Sequence, residues 1–304
     1  MKNIAIITIN YNGEKDTLEC LNSVESLISS RYSLTTVVVD NASEKKFEGF
    51  EKKYNKINLK ILRSEENLGF SGGNNLGIKY ALEKGADYIL FLNNDTLVDN
   101  KLLEELLDVF EKDKDAGIVA PKIYFAPGYE FHKDRYAKND LGKVIWYAGG
   151  VMDWKNVFGK HRGVDEVDAG QFDEACETDF ASGCCFLTAR GVLEKVGVFD
   201  EKYFLYYEEN DLCQKVKKTG LKILFAPKAL LWHKNAQSTG GSGSKLQDYY
   251  ITRNRLLFGF RYAPLRSKVA LIRESLKILI KGRKWQKIGV IDFYFQKFGK
   301  GSYA

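Results

Sequence analysis

The chain has 304 residues, 46 Lys+Arg against 40 Asp+Glu, 44% hydrophobic residues and four prolines. That composition suits a folded protein with one large core, and it excludes collagen-like, low-complexity and disulfide-scaffold classes. The formal charge of +6 is uneven: residues 261–304 carry 11 Lys/Arg and 2 Asp/Glu, a local +9, so the first 260 sum to −3.

Residues 4–9 (IAIITI) are a continuous apolar run, the pattern of a strand buried on both faces. Residues 15–29 put Leu18, Leu21, Val24 and Leu27 on one stripe and predict a helix. A second buried strand is expected at 35–40 (TTVVVD), a charged helix at 44–54 and a third strand at 59–64 (LKILRS). The glycine-rich stretch 67–77 (NLGFSGGNNLG) opens a helix running to about Lys84. Residues 88–95 (YILFLNND) read as a fourth strand, 100–112 as an amphipathic helix and 117–125 as a further strand. Alternating strands and helices imply βαβ units and a parallel sheet, whose ligands bind beyond the carboxyl ends of the strands.

The second half is less regular. Residues 125–179, rich in Gly, Tyr and Lys, predict loops with short strands. Residues 204–220 read as a loop leading into a helix with Leu212, Cys213 and Val216 apolar. Strands are expected at 222–227 (KILFAP) and 229–234 (ALLWHK), and a flexible Gly/Ser loop at 238–244. Residues 249–262 begin a closing helical region that continues into the basic tail. Cys20, Cys176, Cys184, Cys185 and Cys213 form no CxxC pair, so reduced thiols fit better than a disulfide framework or a zinc site. The first apolar run is too short for a secretion signal, and no stretch approaches 18 apolar residues. A cytoplasmic location is therefore expected. The basic tail would suit peripheral contact with anionic lipid headgroups on the cytoplasmic face of the membrane, a solvated basic face being the alternative.

Chemistry concentrates at predicted strand ends. Asn10-Tyr11-Asn12, Asp40-Asn41, Asn67 and Asn93-Asn94-Asp95 follow four successive strands, more polar clusters than turn chemistry alone demands. A carboxylate there suits a hard divalent cation such as Mg²⁺ or Mn²⁺, shared with substrate phosphates; an Asx turn is the competing reading. Glu208-Glu209-Asn210-Asp211 follows an aromatic run. Mutual repulsion and desolvation raise carboxyl pKa values and favour a general base. A helix N-terminus would also favour these acids. His233 closes an apolar strand, where a hydrogen-bonded structural histidine is the commoner outcome. Residues 67–77 could lie along a pyrophosphate, but they contain neither GxGxxG nor a Walker lysine.

Taken in order, TINYNG, VVVDNAS, ENLGFSGGNNLGI, YILFLNNDT, GIVAPKI, the long segment from DFASGCC to KKTG, APKALLWH and YYITRNRLLF resemble family 2 glycosyltransferases of the GT-A fold. The likeness is to the rhamnosyltransferase-like branch and covers about residues 3–260. It implies an α/β fold with a Rossmann-like, mostly parallel sheet in a domain of residues 1–260. Residues 1–125 would be the nucleotide-binding half and 126–260 the acceptor-binding, catalytic half, followed by a basic helical extension at 261–304. It implies that Thr8, Tyr11 and Asp40 line the nucleobase pocket, with Asn10 in the same donor-binding set. Asn41, Asn67, Gly73 and Asn74 would sit near ribose or diphosphate. Asn93-Asn94-Asp95 stands where the family has its DxD motif, making Asp95 a metal ligand, with His233 completing the site. Glu209 takes the place of the catalytic base, Glu208 precedes it, and Asp211 is the alternative base. Two departures stand out: Asn93 replaces the first DxD aspartate, and Glu208-Glu209 replaces an ED pair.

The implied activity is inverting transfer of a sugar from a nucleotide-diphosphate donor to an acceptor hydroxyl in cell-surface polysaccharide synthesis. dTDP-rhamnose is the leading donor; UDP-galactofuranose, a UDP-hexose or a UDP-hexosamine is the alternative. The expected partners are the nucleotide sugar and a glycan or lipid-linked glycan acceptor; nucleic acid is not expected, and oligomerisation is left open. A non-catalytic sugar-nucleotide binder is disfavoured by the intact acidic cluster. A nucleotidyltransferase is disfavoured because NYNGEKD is not the glycine-rich basic loop it needs.

Overall fold

A computed structural model describes residues 1–27, 29–54, 56–235 and 243–303. The first half runs β1 (Lys2–Asn10), α1 (Glu14–Val24), β2 (Tyr32–Asn41), β3 (Asn58–Ser64), α2 (Gly69–Glu83), β4 (Tyr88–Leu92), β5 (Thr96–Val98), α3 (Leu102–Lys112) and β6 (Ala116–Phe125). Short strands follow: β7 (Ile145–Tyr147), β8 (Gly150–Asp153), β9 (Phe158–His161) and β10 (Cys176–Glu177). Then come β11 (Cys185–Ala189), α4 (Arg190–Val196), α5 (Glu208–Lys218), β12 (Lys222–His233), α6 (Lys245–Tyr262), α7 (Leu265–Lys281) and α8 (Lys284–Tyr294). The expected Gly/Ser loop at 238–244 lies almost wholly outside the described residues.

Among the described residues the main sheet has the order β10-β12-β6-β11-β4-β1-β2-β3, with β5 added to β12 and β7 to β6. Strands β3, β2, β1 and β4 are mutually parallel, as their buried apolar runs predict. Strand β11 then inserts antiparallel between β4 and β6, and β12 resumes parallel to β6. This is the GT-A arrangement of a mixed, mostly parallel sheet covered by helices. The glycines of α2 let it settle closely on β1. A Cβ at Gly77 would lie 2.5 Å from Ile7 Cγ2, and one at Gly73 would lie 3.0 Å from Ile9 Cδ1.

Four expectations change. Residues 44–54 form bends and turns instead of a helix. Gly49 adopts φ +82°, and Phe47 and Tyr54 are buried at 1%, so anchoring to the core replaces helical spacing. The apolar runs at 222–227 and 229–234 are one strand, β12, with a register shift between Ala226 and Leu230. The run at 88–95 ends as β4 at Leu92, and the chain turns and crosses to pair with β12 as β5. Asp95 therefore sits in a turn between two strands. The predicted first helix gives way after Val24 to a 3₁₀ turn, Glu25–Leu27.

Helix α6 spans the expected boundary at residue 260, and its side chains hold the loop before α5. In that loop Phe204, Tyr206 and Tyr207 adopt left-handed φ values of 65°, 69° and 74°, each strained for a residue with a Cβ. The carboxamide of Asn254 donates to the carbonyls of Tyr203 (2.8 Å), Leu205 (2.7 Å) and Tyr206 (2.9 Å). Fully buried Arg253 donates to the carbonyls of Lys202 (3.1 Å), Tyr203 (3.0 Å) and Gly299 (2.7 Å). The Asn254→Ala variant, which leaves buried carbonyls without donors, is expected to lose about 3 kcal/mol of stability in urea denaturation. A loss below about 1 kcal/mol would show that the loop holds its strained shape without the clasp.

Candidate active site

Four strand ends meet in a buried polar chain. Asp40, at the end of β2, is wholly inaccessible. Its carboxylate accepts from Asn10 Nδ2 (3.2 Å), the Ser43 N–H (3.3 Å), the Phe47 N–H (3.0 Å) and Arg63. Burial by itself would raise the Asp40 pKa. The hydrogen bonds from Ser43, Phe47, Arg63 and Asn10 outweigh it and hold the group below the ordinary aspartate value. Asn10 Oδ1 in turn accepts from Thr17 Oγ1 (2.9 Å), and Thr17 accepts from Asn94 Nδ2 (2.9 Å). The chain Arg63–Asp40–Asn10–Thr17–Asn94 thus ties β3, β2, β1 and α1 to the turn after β4.

Around this chain the expected donor-binding residues divide. Tyr11 is 49% exposed, an aromatic face left open at the end of β1. Thr8 is buried, and its hydroxyl finds no partner among the described residues. Asn41 latches the loop before α2, donating to Gly69 O (3.0 Å) and Asn67 Oδ1 (3.2 Å) and accepting from the Leu68 N–H (2.9 Å). Gly73 and Asn74 are buried, Gly73 against β1 and Asn74 donating to Phe70 O at 3.0 Å. Gly73 and Gly77 also let this helix pack closely on β1.

The register of β5 on β12 pairs Thr96 with His233, and the Lys234 N–H donates to Asp95 O (2.9 Å). Asp95 Oδ2 and His233 Nε2 are consequently 3.2 Å apart, both residues 6% exposed, with Trp146 edge-on to the imidazole. A carboxylate oxygen and an imidazole nitrogen at this separation fit two adjacent positions of a small divalent ion. Ligands about 2.1 Å from such an ion in octahedral geometry lie about 3 Å apart. No cage of three or more His, Cys, Asp or Glu occurs among the described residues, so remaining ligands would come from water and substrate. Asn93 joins the second half of the sheet, its N–H donating to Cys184 O at 2.8 Å.

The same crossing carries the acidic cluster. Gly183 lies directly before Cys184, and a Cβ there would lie 3.7 Å from both Cβ and Cγ of Glu209. Glu209 stands in the first turn of α5, is partly exposed and accepts from Asn210 Nδ2 (2.9 Å). Burial pushes its pKa up to about 7. Glu208 is 3% exposed, Oε2 has no hydrogen-bond partner among the described residues, and burial together with the Glu209 charge drives its pKa well above the carboxylate range. Asp211 differs. Its wholly buried carboxylate meets Arg261 (2.9 Å), Lys215 (2.9 Å), Tyr203 OH (3.1 Å) and Tyr262 OH (2.9 Å), which ties α5 to α6.

This geometry sits in a sequence whose residues 5–197 match the profile of "Glycosyl transferase family 2". The chain belongs to that family. This family 2 glycosyltransferase is 25% identical over 258 residues to the low-salt glycan biosynthesis hexosyltransferase Agl10 of Haloferax volcanii, covering 84% of this chain and 75% of that one. It is 25% identical over 287 residues to the dTDP-rhamnosyl transferase RfbF of Shigella flexneri, covering 91% and 86%. Among solved structures it resembles GalNAc-T7 with UDP, GalNAc and Mn²⁺, at TM-score 0.61 and 17% identity, covering 97% of this chain and 58% of that one. It also resembles S. aureus TarS 1-349 in complex with UDP-GlcNAc, at TM-score 0.59 and 17% identity, covering 96% and 79%. These likenesses establish the fold.

Sequence reasoning missed Thr17, Ser43, Arg63, Gly183 and Lys234. Arg63 had a signal: it ends its strand as Asp40 ends the neighbouring one, and the two are register partners. Lys234, beside His233, is 6% exposed and ion-paired to Asp16 (2.8 Å) and to Glu19. The state of Glu208 is testable by linkage. A carboxyl whose folded pKa lies above its unfolded value binds more protons when folded, so its stabilising contribution falls as pH rises between the two. The Glu208→Gln variant is therefore expected to gain stability relative to the parent on going from pH 5 to pH 8, measured by urea midpoints. A pH-independent difference would place the Glu208 pKa in the ordinary range.

Proposed function

We propose that this glycosyltransferase transfers a sugar with inversion, and that Glu209 is the base. The observation that carries the reading is the proximity of Glu209 to Gly183, one residue from the Cys184 carbonyl that receives the Asn93 N–H. Base and metal-binding turn are thereby neighbours across the same β4–β11 crossing. The acceptor hydroxyl gives its proton to the Glu209 carboxylate as its oxygen forms a bond to the anomeric carbon. The bond from that carbon to the diphosphate oxygen breaks on the opposite face, and its electron pair leaves with the nucleoside diphosphate. One displacement suffices, so the anomeric centre inverts. Asp95 and His233 would hold a divalent cation, which neutralises charge on the departing diphosphate. Asp211 is committed to Arg261 and Lys215, which leaves Glu209 as the base.

Tyr11 would provide a stacking face for the nucleobase, and the partly exposed Arg63, held by buried Asp40, would provide its polar edge. The leading donor is dTDP-rhamnose. Two relatives support it: RfbF, named a dTDP-rhamnosyl transferase, and an N-acetylglucosaminyl-diphospho-decaprenol L-rhamnosyltransferase of Mycobacterium tuberculosis, 26% identical over 196 residues. The hexosyltransferase Agl10 keeps a nucleotide-linked hexose as the second reading. The acceptor class is a glycan or lipid-linked glycan hydroxyl.

Glu209→Gln is expected to reduce turnover by about 10³-fold while leaving donor-induced thermal stabilisation intact, since general bases contribute about 10²–10⁴. Because the base form is the ionised one, parental kcat/KM should rise with pH up to about 7 and level off above it. Turnover within tenfold of the parent in Glu209→Gln would remove that residue from the role. Thermal-shift screening of dTDP- and UDP-sugars with Mn²⁺ or Mg²⁺ should favour dTDP-rhamnose in the parent, and the cation-dependent part of the shift should vanish in Asp95→Ala and His233→Ala. Stronger stabilisation by a UDP-sugar would replace the donor assignment, and a shift unaffected by either variant would replace the metal assignment.

A further inference from the structure

The C-terminal helices leave an apolar surface uncovered. On α7, Leu265 (77% exposed), Val269, Ile272, Leu276 and Ile280 (74% exposed) recur at intervals of three and four, so they share one face of the helix. The stripe runs about 22 Å along the helix at 1.5 Å per residue. Arg266, Arg273, Lys277 and Lys281 flank it on one side and Lys268 on the other, by the same helical geometry. Helix α8 adds exposed Ile291, Tyr294 and Phe295, and Tyr294 lies beside α7 with its hydroxyl 2.8 Å from Ser275 Oγ.

The opposite face of α7 is fixed. Glu274 accepts two hydrogen bonds from Arg255 of α6 (2.7 and 2.9 Å), Ser267 donates to Trp154 O (2.7 Å), and Leu271 packs where Gly259 lacks a side chain. The helix therefore cannot roll to bury its stripe. No helix among the described residues is long and apolar enough to cross a membrane.

We infer that the α7 stripe, continued by Ile291, Tyr294 and Phe295, docks in the plane of an anionic lipid surface. An apolar stripe bordered by Lys and Arg is the pattern of an interfacial helix, whose apolar side enters the acyl boundary while the cations meet headgroup phosphates. Charge selects the occupant. Residues 261–304 carry +9 against −3 for the rest of the chain, so a second copy docked on this face would oppose two like-charged segments, whereas an anionic bilayer complements it. The inference stands independently of the donor and base assignments.

The test uses the full chain with large vesicles of phosphatidylcholine alone or with 30% phosphatidylglycerol, read by sedimentation, alongside light scattering for oligomeric state. Binding to the anionic vesicles is expected, at least tenfold weaker for neutral ones and weakened by salt. The exposed double variant Leu276→Glu/Ile280→Glu should lose it by at least tenfold, with its melting temperature unchanged. Arg273→Gln/Lys277→Gln should lose only the preference for anionic vesicles. Unchanged binding by Leu276→Glu/Ile280→Glu would overturn the apolar role. Equal binding to both vesicle types would overturn the anionic one. A parental dimer that this variant dissociates would give the face to a second copy.

Discussion

One antiparallel strand joins the two chemistries of this protein. Strand β11 pairs with β4 from Cys185–Leu92 to Ala189–Tyr88, and Asn93 continues that ladder by donating to the Cys184 carbonyl. Without it, the parallel half would carry its polar rim and the Asp95–His233 pair apart from Glu209. With it, the segment that ends in Gly183 lies beside Glu209. A side chain at Gly183 would also meet Phe70 at 3.4 Å.

The site treats its carboxylates in three ways, and the donors each receives in the buried interior decide which. Asp40 and Asp211 are as inaccessible as any side chain in the protein, yet each is surrounded by donors and serves as a structural tie. Asp95 is matched with a histidine, a donor set that a cation can share. Glu208 and Glu209 are desolvated with few donors, so their pKa values climb. The raised proton affinity of Glu209 thus arises from its desolvation.

The C-terminal helices belong to the same logic. The left-handed backbone at Phe204, Tyr206 and Tyr207 turns the chain sharply into α5 and leaves buried carbonyls that Arg253 and Asn254 of α6 satisfy. Arg261 and Tyr262, at the end of α6, hold Asp211 in the first turn of α5. The extension after residue 260 is continuous with this brace. It offers outward whatever α7 does not pack against α6, and that remainder is apolar and basic.

The parallel core was legible from the apolar runs at residues 4–9, 35–40 and 88–92, because strands buried on both faces leave an unbroken hydrophobic signature. The polar ends of those strands, and the motifs that ran with them, singled out Asp95, His233 and Glu209 as candidates, and the structure pairs the first two. Other features had no local trace. The helix expected at 44–54 gave way because Phe47 and Tyr54 gain more by burial than helical spacing allows. The role of Gly73 and Asn74 depended on which side of α2 meets β1. Whether Asp211 or Glu209 is open depended on Arg261, 50 residues away. The sequence by itself determined which chemistry was available and on which strands it would stand. Only the tertiary structure decided which carboxylates receive donors and which are left desolvated, because that follows from contacts between residues far apart in the chain.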